Sequence, residues 1–301
     1  MKHNGWVLVD KIAGITSMQT VKDIAHQLSK LYNVRVRDLK VGHGGTLDPF
    51  ATGLLPIAFG EATKLLQLFM NVSKAYVFTM VFGEKRDTGD VTGKIIDTDT
   101  DYSTKLHALE TVIANHAFFT KQVPHKMSAI KVNGMRAYDL FRKGVEYSLE
   151  ARHVDIYDLR LLETYENNNA VTLYVKCGKG LYVRSLCEDI AAALGTVAYV
   201  SKLDRVEYGS LGIRGYGAIQ IDSDIHLKQQ PLDILECKNW FPYIEVNACE
   251  AEKLKHGTTV VLDIGVQDGV YMMVHERQII CIANVSNAIA TVLRGLVSDI
   301  C

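Results

Sequence analysis

Hydrophobic and polar residues follow one another in a pattern that predicts both strands and helices. The segment GWVLVD at residues 5–10 is short and apolar, which predicts a buried strand. Apolar residues then recur at spacings of three and four, at Val21, Ile24, Leu28 and Leu31, typical of an amphipathic helix that Ser17 can cap. The segment AYVFTMVF at residues 75–82 is apolar on both faces and rich in aromatic and β-branched residues, as expected of a central strand.

The next part of the chain combines the alternating pattern of strands with the spacing of three and four residues that is typical of helices. Residues 153–165 and 169–177 alternate well enough to predict two paired strands. The segment VRSLCEDIAAALG predicts a helix that ends at Gly195. This order favours an α+β or mixed-sheet domain as far as about residue 220.

The tail has a different character. Asn247 and Glu250 have the spacing of a capping box, and Gly257 can close the short helix that follows. Three β-rich runs come next, TTVVLD, VYMMVHERQIICIA and IATVLRGLV. We therefore expect a small β-rich C-terminal domain over residues 230–301.

Composition places the chain among ordinary globular proteins. It has 301 residues, 48% of them hydrophobic, enough to bury a substantial core. The six cysteines form no CxxC pair, which fits reduced thiols better than disulfides or a zinc site. The first residues lack the pattern of a signal peptide and no apolar run is long enough to span a membrane, so a cytoplasmic location is expected.

The overall charge of −1 hides an asymmetry. Residues 1–221 hold 27 basic and 23 acidic residues (net +4), whereas the remainder holds 6 and 11 (net −5). Within residues 121–153 there are seven Lys or Arg and three Asp or Glu. A local basic face for a polyanion is therefore compatible with the near-neutral total, and so is a solvated surface of mixed charge.

The stretch GHGGTLDPFATG presents one acidic side chain, Asp48, among four glycines and a proline. Pro49 disfavours helical backbone at Asp48, and the glycines permit conformations that side chains forbid. The chain has no P-loop, GxSxG, HExxH or zinc-deaminase pattern. Taken alone, Asp48 fits either a turn that its carboxylate stabilises or a catalytic carboxylate.

The segment KCGKGLYVRSLCEDI places Arg184 at the start of a helix, where a cation is poorly placed for the helix dipole. One explanation is that its guanidinium faces a buried carboxylate and keeps it ionised. The other is a surface ion pair with Glu188, four residues further on. The residues themselves leave both open.

Six motifs now occur in one order and spacing: GWVLVDKIAGITS, VGHGGTLDPFATGLLPIAFGEATK, KAYVFTMVFG, RDTGDVTGKI, QVPHKMSAIKVNGMRAYDLFRKG and CGKGLYVRSLCEDIAAALG. They resemble those of bacterial tRNA pseudouridine-55 synthases, the TruB-type pseudouridine synthase family, over residues 5 to about 212. The block from GHGGTLDP to GEATK is the most specific of them.

The resemblance implies a function. A uridine at position 55 in the TΨC loop of tRNA would be cut from its ribose, turned over and rejoined through carbon, after the nucleotide is flipped out. Asp48 matches the catalytic aspartate, Tyr76 the active-site tyrosine and Arg184 the basic partner of the aspartate. The family implies no cofactor and no metal, tRNA as the partner, no membrane, and a chain that acts as a monomer without a protein partner.

The resemblance also implies a substrate-binding set and two domains. Residues 1–225 would form an α+β catalytic domain, with a mixed, mainly antiparallel sheet flanked by helices and an RNA-clamping insertion at about 103–150. A PUA-like module is the candidate for residues 230–301. Lys126, Lys131, Arg136, Arg142 and Lys143 of the insertion could neutralise phosphates. The implied substrate-binding residues are His43, Lys64, Asp90, Lys131, Tyr182 and Leu203.

Several positions depart from the family pattern. They put RNA affinity and substrate range in question more than the catalytic set. The departures are Met18, Gly44, Arg86, His125, Met127 and Asp204.

Two other functions fit parts of the sequence. A tRNA-binding or folding-assistance protein could share the fold but would not need Asp48. A nucleoside glycosidase or transferase could use Asp48 on a small substrate, but the basic insertion and the extra tail favour a macromolecule.

Overall fold

The computed structural model describes most of the chain, and the described residues form two compact units. Unit 1 consists of Met1–Leu47, Leu54–Met70 and Gly209–Cys301, and unit 2 of Asp48–Gly53 and Asn71–Tyr208. The described residues are 3–115, 119–165, 169–212, 219–220, 231–263 and 265–296.

The regular elements in these ranges are strands and helices of very different lengths. The α-helices are α1 (Ser17–Tyr32), α2 (Leu66–Asn71), α3 (Leu109–Ala114), α4 (Ala137–Arg142), α5 (Val183–Ala193) and α6 (Ala248–Lys255). The strands are β1 (Gly5–Lys11), β2 (Val41–His43), β3 (Thr52–Phe59), β4 (Lys74–Phe82), β5 (Glu84–Arg86), β6 (Ile95–Thr98), β7 (Lys121–Gln122), β8 (Lys131–Val132), β9 (Met135–Arg136), β10 (Arg152–His153), β11 (Ile156–Tyr165), β12 (Ala170–Cys177), β13 (Ala198–Tyr208), β14 (Leu211–Gly212), β15 (Ile219–Gln220), β16 (Tyr243–Glu245), β17 (Val260–Val261), β18 (Gly269–His275), β19 (Gln278–Ser286) and β20 (Ile289–Gly295).

Unit 2 is built on an antiparallel sheet in the order β11-β12-β4-β13. Strand β4 lies between β12 and β13, which confirms the prediction of a central strand. The first two residues of β3, Thr52 and Gly53, run parallel to β13, so the sheet is mixed and mainly antiparallel as predicted. Helix α5 packs against β13 and β4. The short strand pairs β5-β6, β7-β10 and β8-β9 carry the segments between β4 and β11.

In unit 1, β3 from Leu54 onward neighbours β1 and pairs with β2, and β1 runs parallel to β15. Helix α1 begins after Thr16, whose hydroxyl accepts the Gln19 N–H at 3.0 Å. The prediction that Ser17 caps this helix is therefore wrong. The Ser17 hydroxyl is buried, donating to the Leu47 carbonyl and accepting the Leu47 N–H, both at 2.9 Å.

The C-terminal strands of unit 1 form a five-stranded sheet in the order β16-β18-β19-β20-β17. The Asn247–Glu250 capping box opens α6 as predicted, and Leu254 packs into an apolar core with Met273 and Ile280. The β-rich character of the C-terminal region is thereby confirmed. The predicted domain boundary near residues 225–230 lies outside the described residues. Across the described ranges, no helix has the length and apolarity needed to cross a bilayer.

Candidate active site

Asp48 opens a turn in unit 2. The Ala51 N–H donates to the Asp48 carbonyl at 3.1 Å, with Pro49 fixing the backbone between them. The Asp48 side chain stays 32% exposed, although the Arg184 side chain beside it is only 5% exposed. The turn therefore fixes the backbone while leaving the carboxylate within reach of a ligand.

Arg184 lies in the first turn of α5 and points into the protein. Its Nη2 is 3.0 Å from Asp48 Oδ2, and its Nη1 is 3.6 Å from Asp90 Oδ2. The surface ion pair with Glu188 is not what forms, because Arg184 is buried against the two aspartates. Of the two explanations that the sequence left open, the guanidinium facing a carboxylate is the one in the structure.

The remaining donors of Arg184 are also paired. Nη1 donates to the Thr88 carbonyl at 2.8 Å, and Nη2 donates to the Met127 carbonyl at 2.9 Å. His125 Nδ1 lies 3.4 Å from Nη1. A buried guanidinium is stable when such acceptors replace its water, and here they also fix its orientation toward Asp48.

Asp90 is 4% exposed, and neighbouring threonines hold it in place. Its Oδ1 accepts from the Thr88 hydroxyl at 2.9 Å, the Thr92 N–H at 2.9 Å and the Thr92 hydroxyl at 2.5 Å. Its other oxygen faces Arg184. Asp48, Asp90, Arg184 and His125 are called the carboxylate cluster from here on.

His125 is a neutral member of this cluster. Burial, followed by the charge of Arg184, lowers the pKa of His125 from 6.5 to about 3. Its Nδ1 accepts the Met127 N–H at 3.1 Å. Gly89 has a φ of +69°, and a Cβ there would lie 2.8 Å from the imidazole Nε2, so a glycine is needed for the ring to fit.

Tyr76 lies on β4 and is 9% exposed. Its cross-strand partner on β13 is Arg205, which is 1% exposed and hydrogen-bonds the Tyr76 hydroxyl. The Arg205 guanidinium carbon lies 4.5 Å from the centre of the Tyr208 ring, and Lys74 Nζ lies 4.8 Å from the same centre. Tyr76, Tyr208, Lys74 and Arg205 are called the tyrosine cluster.

Arg205 was not predicted as a site residue from the sequence. One signal was present: in SKLDRVEYG the arginine is two residues after Leu203, on the same face of the strand, where an apolar residue is expected. Leu203 itself is buried opposite Phe78, on the face that carries Tyr76. The structure thus brings this predicted residue next to Tyr76 within the sheet.

Gly53 brings β3 unusually close to β13. Its φ is +105°, and a Cβ there would lie 2.4 Å from Asp204 Oδ1 and 2.5 Å from the Arg205 carbonyl oxygen. The Asp204 carboxylate accepts the neighbouring Thr52 hydroxyl at 3.0 Å. Asp204, a departure from the family pattern, thus has a structural role beside the turn that carries Asp48.

The other predicted residues are more dispersed. The Tyr182 N–H donates to Gln122 Oε1 at 2.8 Å just before α5, and Lys131 is exposed on the β8-β9 hairpin. His43 and Lys64 belong to unit 1. The His43 Nδ1 accepts the Gly45 N–H at 3.3 Å, and Lys64 Nζ is 2.5 Å from Glu61. The roles assigned to these residues stay predictions.

Within the described ranges, no group of three or more His, Cys, Asp or Glu side chains is arranged to hold a metal ion.

Comparison with known proteins agrees with the sequence motifs. Residues 30–183 match the model of the TruB family pseudouridylate synthase N-terminal domain. The tRNA pseudouridine synthase B of Anaplasma phagocytophilum (strain HZ) is 36% identical over 277 residues, covering 91% of this chain and 89% of the relative. That of Ehrlichia ruminantium (strain Gardel) is 37% identical over 272 residues, 86% of each chain.

Solved structures support the fold. The "Crystal Structure of a Cbf5-Nop10-Gar1 Complex" includes a chain that is 21% identical, with a TM-score of 0.63, covering 93% of this chain and 78% of that one. At this identity the likeness concerns the fold alone, and it confirms the α+β prediction. The family model and the two relatives carry the assignment, which confirms the predicted resemblance: the chain belongs to the TruB family of pseudouridylate synthases.

Proposed function

We propose that this protein isomerises the uridine at position 55 in the TΨC loop of tRNA to pseudouridine, with Asp48 as the catalytic carboxylate. Two relatives named tRNA pseudouridine synthase B support tRNA as the substrate. The motif resemblance supports the TΨC loop. The observation that carries the proposal is the contact of a partly exposed Asp48 with a buried, fully oriented Arg184.

The contact fits the charge state that the chemistry needs. A guanidinium at 3.0 Å favours the ionised carboxylate and aims one of its oxygens. Because Asp90 and two backbone carbonyls also hold Arg184, its position does not depend on the substrate. Asp48 thus meets the nucleotide as an ionised, preorganised group.

The reaction breaks one bond and makes another without a co-reactant. The N1–C1′ bond of uridine breaks, the base turns, C5 bonds to C1′, C5 loses a proton and N1 gains one. An anionic Asp48 beside the sugar stabilises or captures the electron-poor C1′. Attack at the base and abstraction of a sugar proton start from the same carboxylate, and all three routes require it.

The nucleotide must leave its stack before Asp48 can reach the glycosidic bond. We propose that the base stacks on Tyr76 above Leu203, which lie on one face of the sheet. Tyr76 then takes part in moving the proton from C5. Stacking and pocket contacts offset the few kcal/mol of unstacking. His43, Lys64 and Tyr182 remain the proposed contacts to the RNA around the flipped nucleotide.

The insertion supplies the proposed grip on the phosphate backbone. The five insertion cations named from the resemblance are all exposed and so can face RNA phosphates. Recognition of a folded stem-loop would rest on shape and backbone more than on base edges. These cations are Lys126, Lys131, Arg136, Arg142 and Lys143.

The decisive experiment uses an unmodified tRNA transcript. We expect the wild type to form pseudouridine at position 55, mapped by carbodiimide-block primer extension, and Asp48→Asn to form none while still binding tRNA. Asp158→Asn is the matched control, because Asp158 makes an exposed ion pair with Arg160 on β11. If the wild type only binds tRNA, the chain is a binding protein. If Asp48→Asn stays active, Asp48 loses its role.

We further propose that the protein acts as a monomer in the cytoplasm, where its tRNA substrate is found. The structural neighbours are described in complexes with other proteins, and that is a property of those chains. Light scattering of the purified protein with tRNA tests the monomer: a mass of one chain per tRNA is expected, and two chains contradict it.

A further inference from the structure

We propose that Arg205 is a positioning residue for Tyr76, which fixes the phenol oxygen as an acceptor and so directs the Tyr76 hydroxyl proton toward the nucleotide side of the site. The inference rests on the proposed function, because the orientation of Tyr76 has a chemical consequence only if a nucleotide reacts beside it.

The placement of Arg205 is fixed by the sheet. Arg205 and Tyr76 are direct cross-strand partners on β13 and β4, so their side chains leave the same face side by side. Arg205 is 1% exposed and one of the largest fully buried side chains in the described chain. The Tyr208 ring, 4.5 Å from the guanidinium carbon, packs against it. The guanidinium thus reaches Tyr76 from a rigid position.

The direction of the hydrogen bond follows from the two groups. A guanidinium has donors and no acceptor, so in its bond with Tyr76 the phenol oxygen accepts. The single O–H of Tyr76 cannot point back at Arg205. It must be donated elsewhere, and Asp48 is the carboxylate whose charge acts on the same hydroxyl.

The positive charge of Arg205 also acts on the Tyr76 hydroxyl, by favouring loss of its proton. Burial raises the pKa of Tyr76, and the charge and hydrogen bond of Arg205 oppose that rise. The other groups that act on this hydroxyl, Cys177 on β12 and Asp48, raise the pKa. Tyr208 is itself neutral, because burial raises its pKa. Arg205 is therefore the group that keeps the buried phenol acidic enough to exchange a proton.

The experiment compares Arg205→Met and Arg205→Lys with wild type in single-turnover assays on the tRNA transcript, from pH 6 to 9.5. The matched control is Arg160→Met, because Arg160 also packs on a tyrosine ring, that of Tyr174, but is exposed. Circular dichroism and filter binding of tRNA establish that each variant is folded and binds. Each variant is also prepared with 3-fluorotyrosine, a more acidic phenol, at position 76.

We expect Arg205→Met to lower the single-turnover rate constant about 100-fold, the order seen when one oriented donor is lost, with tRNA affinity within about threefold. Arg205→Lys should lose about tenfold, because it keeps the charge without the fork. Fluorotyrosine should restore part of the loss in both variants. Arg160→Met should match wild type.

A folded Arg205→Met that turns over within about threefold of wild type would overturn the proposal, since one oriented donor is worth far more. If Arg205→Met does not fold, Arg205→Lys decides: a deficit that fluorotyrosine leaves unchanged also overturns it. An inactive wild type contradicts the proposed function instead, so the two failures are distinguishable.

Discussion

The two arginines that are buried in unit 2, Arg184 and Arg205, have different groups around their positive charges. Arg184 is surrounded by two carboxylates, two carbonyls and a neutral imidazole. Arg205 interacts with the phenols of Tyr76 and Tyr208, and Lys74 lies on the Tyr208 ring as well. Opposite charges lie within 4 Å of Arg184, whereas the described neighbours of Arg205 include two phenol groups and the Lys74 ammonium.

This difference predicts how each cluster responds when its arginine is removed. In the carboxylate cluster, removing the cation leaves two acids facing each other without compensation. In the tyrosine cluster, removing the cation also removes a repulsion, so stability and activity need not change together. The carboxylate cluster therefore supports the fold as well as the chemistry, and we expect the tyrosine cluster to serve mainly the chemistry.

The largest expected effect is that of Arg184→Met. Because it leaves a buried Asp90 unpaired, we expect the free energy of unfolding to fall by about 3–5 kcal/mol, measured by urea denaturation at pH 7.5. Arg160→Met, which breaks an exposed pair, should change it by less than about 1 kcal/mol. Equal losses of unfolding free energy in the two variants would show that the burial of Arg184 does not make its ion pairs more important for stability.

A second effect comes from His125 and appears in acid. Its pKa is about 3 in the folded protein and 6.5 without the fold, so below pH 6.5 the unfolded state binds the extra proton. Stability from this group is therefore full above pH 6.5 and is lost as the pH falls toward 3.

His125→Asn keeps an acceptor near Nδ1 and removes the titration. We expect wild type to lose about 2 kcal/mol more than this variant between pH 6.5 and 4.5, in denaturation curves taken at each pH. Parallel curves for the two proteins would mean that His125 is protonated in the fold.

A third effect, which the partial exposure of the ammonium reduces, concerns Lys74 in alkali. Burial first, and then the charge of Arg205, lowers the pKa of Lys74 from 10.5 to about 8. Between these values the unfolded state binds more protons, so this group makes stability rise with pH from about 8 to 10.5. Lys74→Met should flatten that rise in thermal unfolding curves, and Lys22→Met, an exposed control on α1, should not.

The smallest expected change is in the stability of Arg205→Met. The lost hydrogen bond to Tyr76 costs about 1 kcal/mol, and the relieved repulsion with Lys74 offsets part of it. We expect a net change below about 1.5 kcal/mol by urea denaturation. A loss as large as that of Arg184→Met would erase the distinction between the clusters.

The sequence predicted much of this architecture because its signals are local. The predictions of a continuous apolar strand at residues 75–82, an alternating strand at residues 169–177 and a capping box at Asn247 were all correct. The catalytic set came from motif resemblance, since Asp48 alone also fitted a structural turn and Arg184 alone also fitted a surface ion pair. The structure brings these two together at 3.0 Å.

Other features depend on contacts between distant segments. Alternation along β13 shows which face Arg205 occupies, but not that Tyr76 lies opposite it. At Ser17 and Thr16 either hydroxyl could cap the helix, and a contact with the distant Leu47 decides it. Local sequence patterns do not reveal such features, because the residue that decides them lies far away along the chain.

Gly53 couples the position of the carboxylate cluster to that of the tyrosine cluster. Since its backbone lies against the Arg205 backbone, and Asp48 is only five residues earlier, a shift of the turn that carries Asp48 displaces the strand that carries Arg205. The two halves of the site are therefore in register before any substrate arrives. The entropy of aligning them is lost once, during folding, and is not paid again at each turnover.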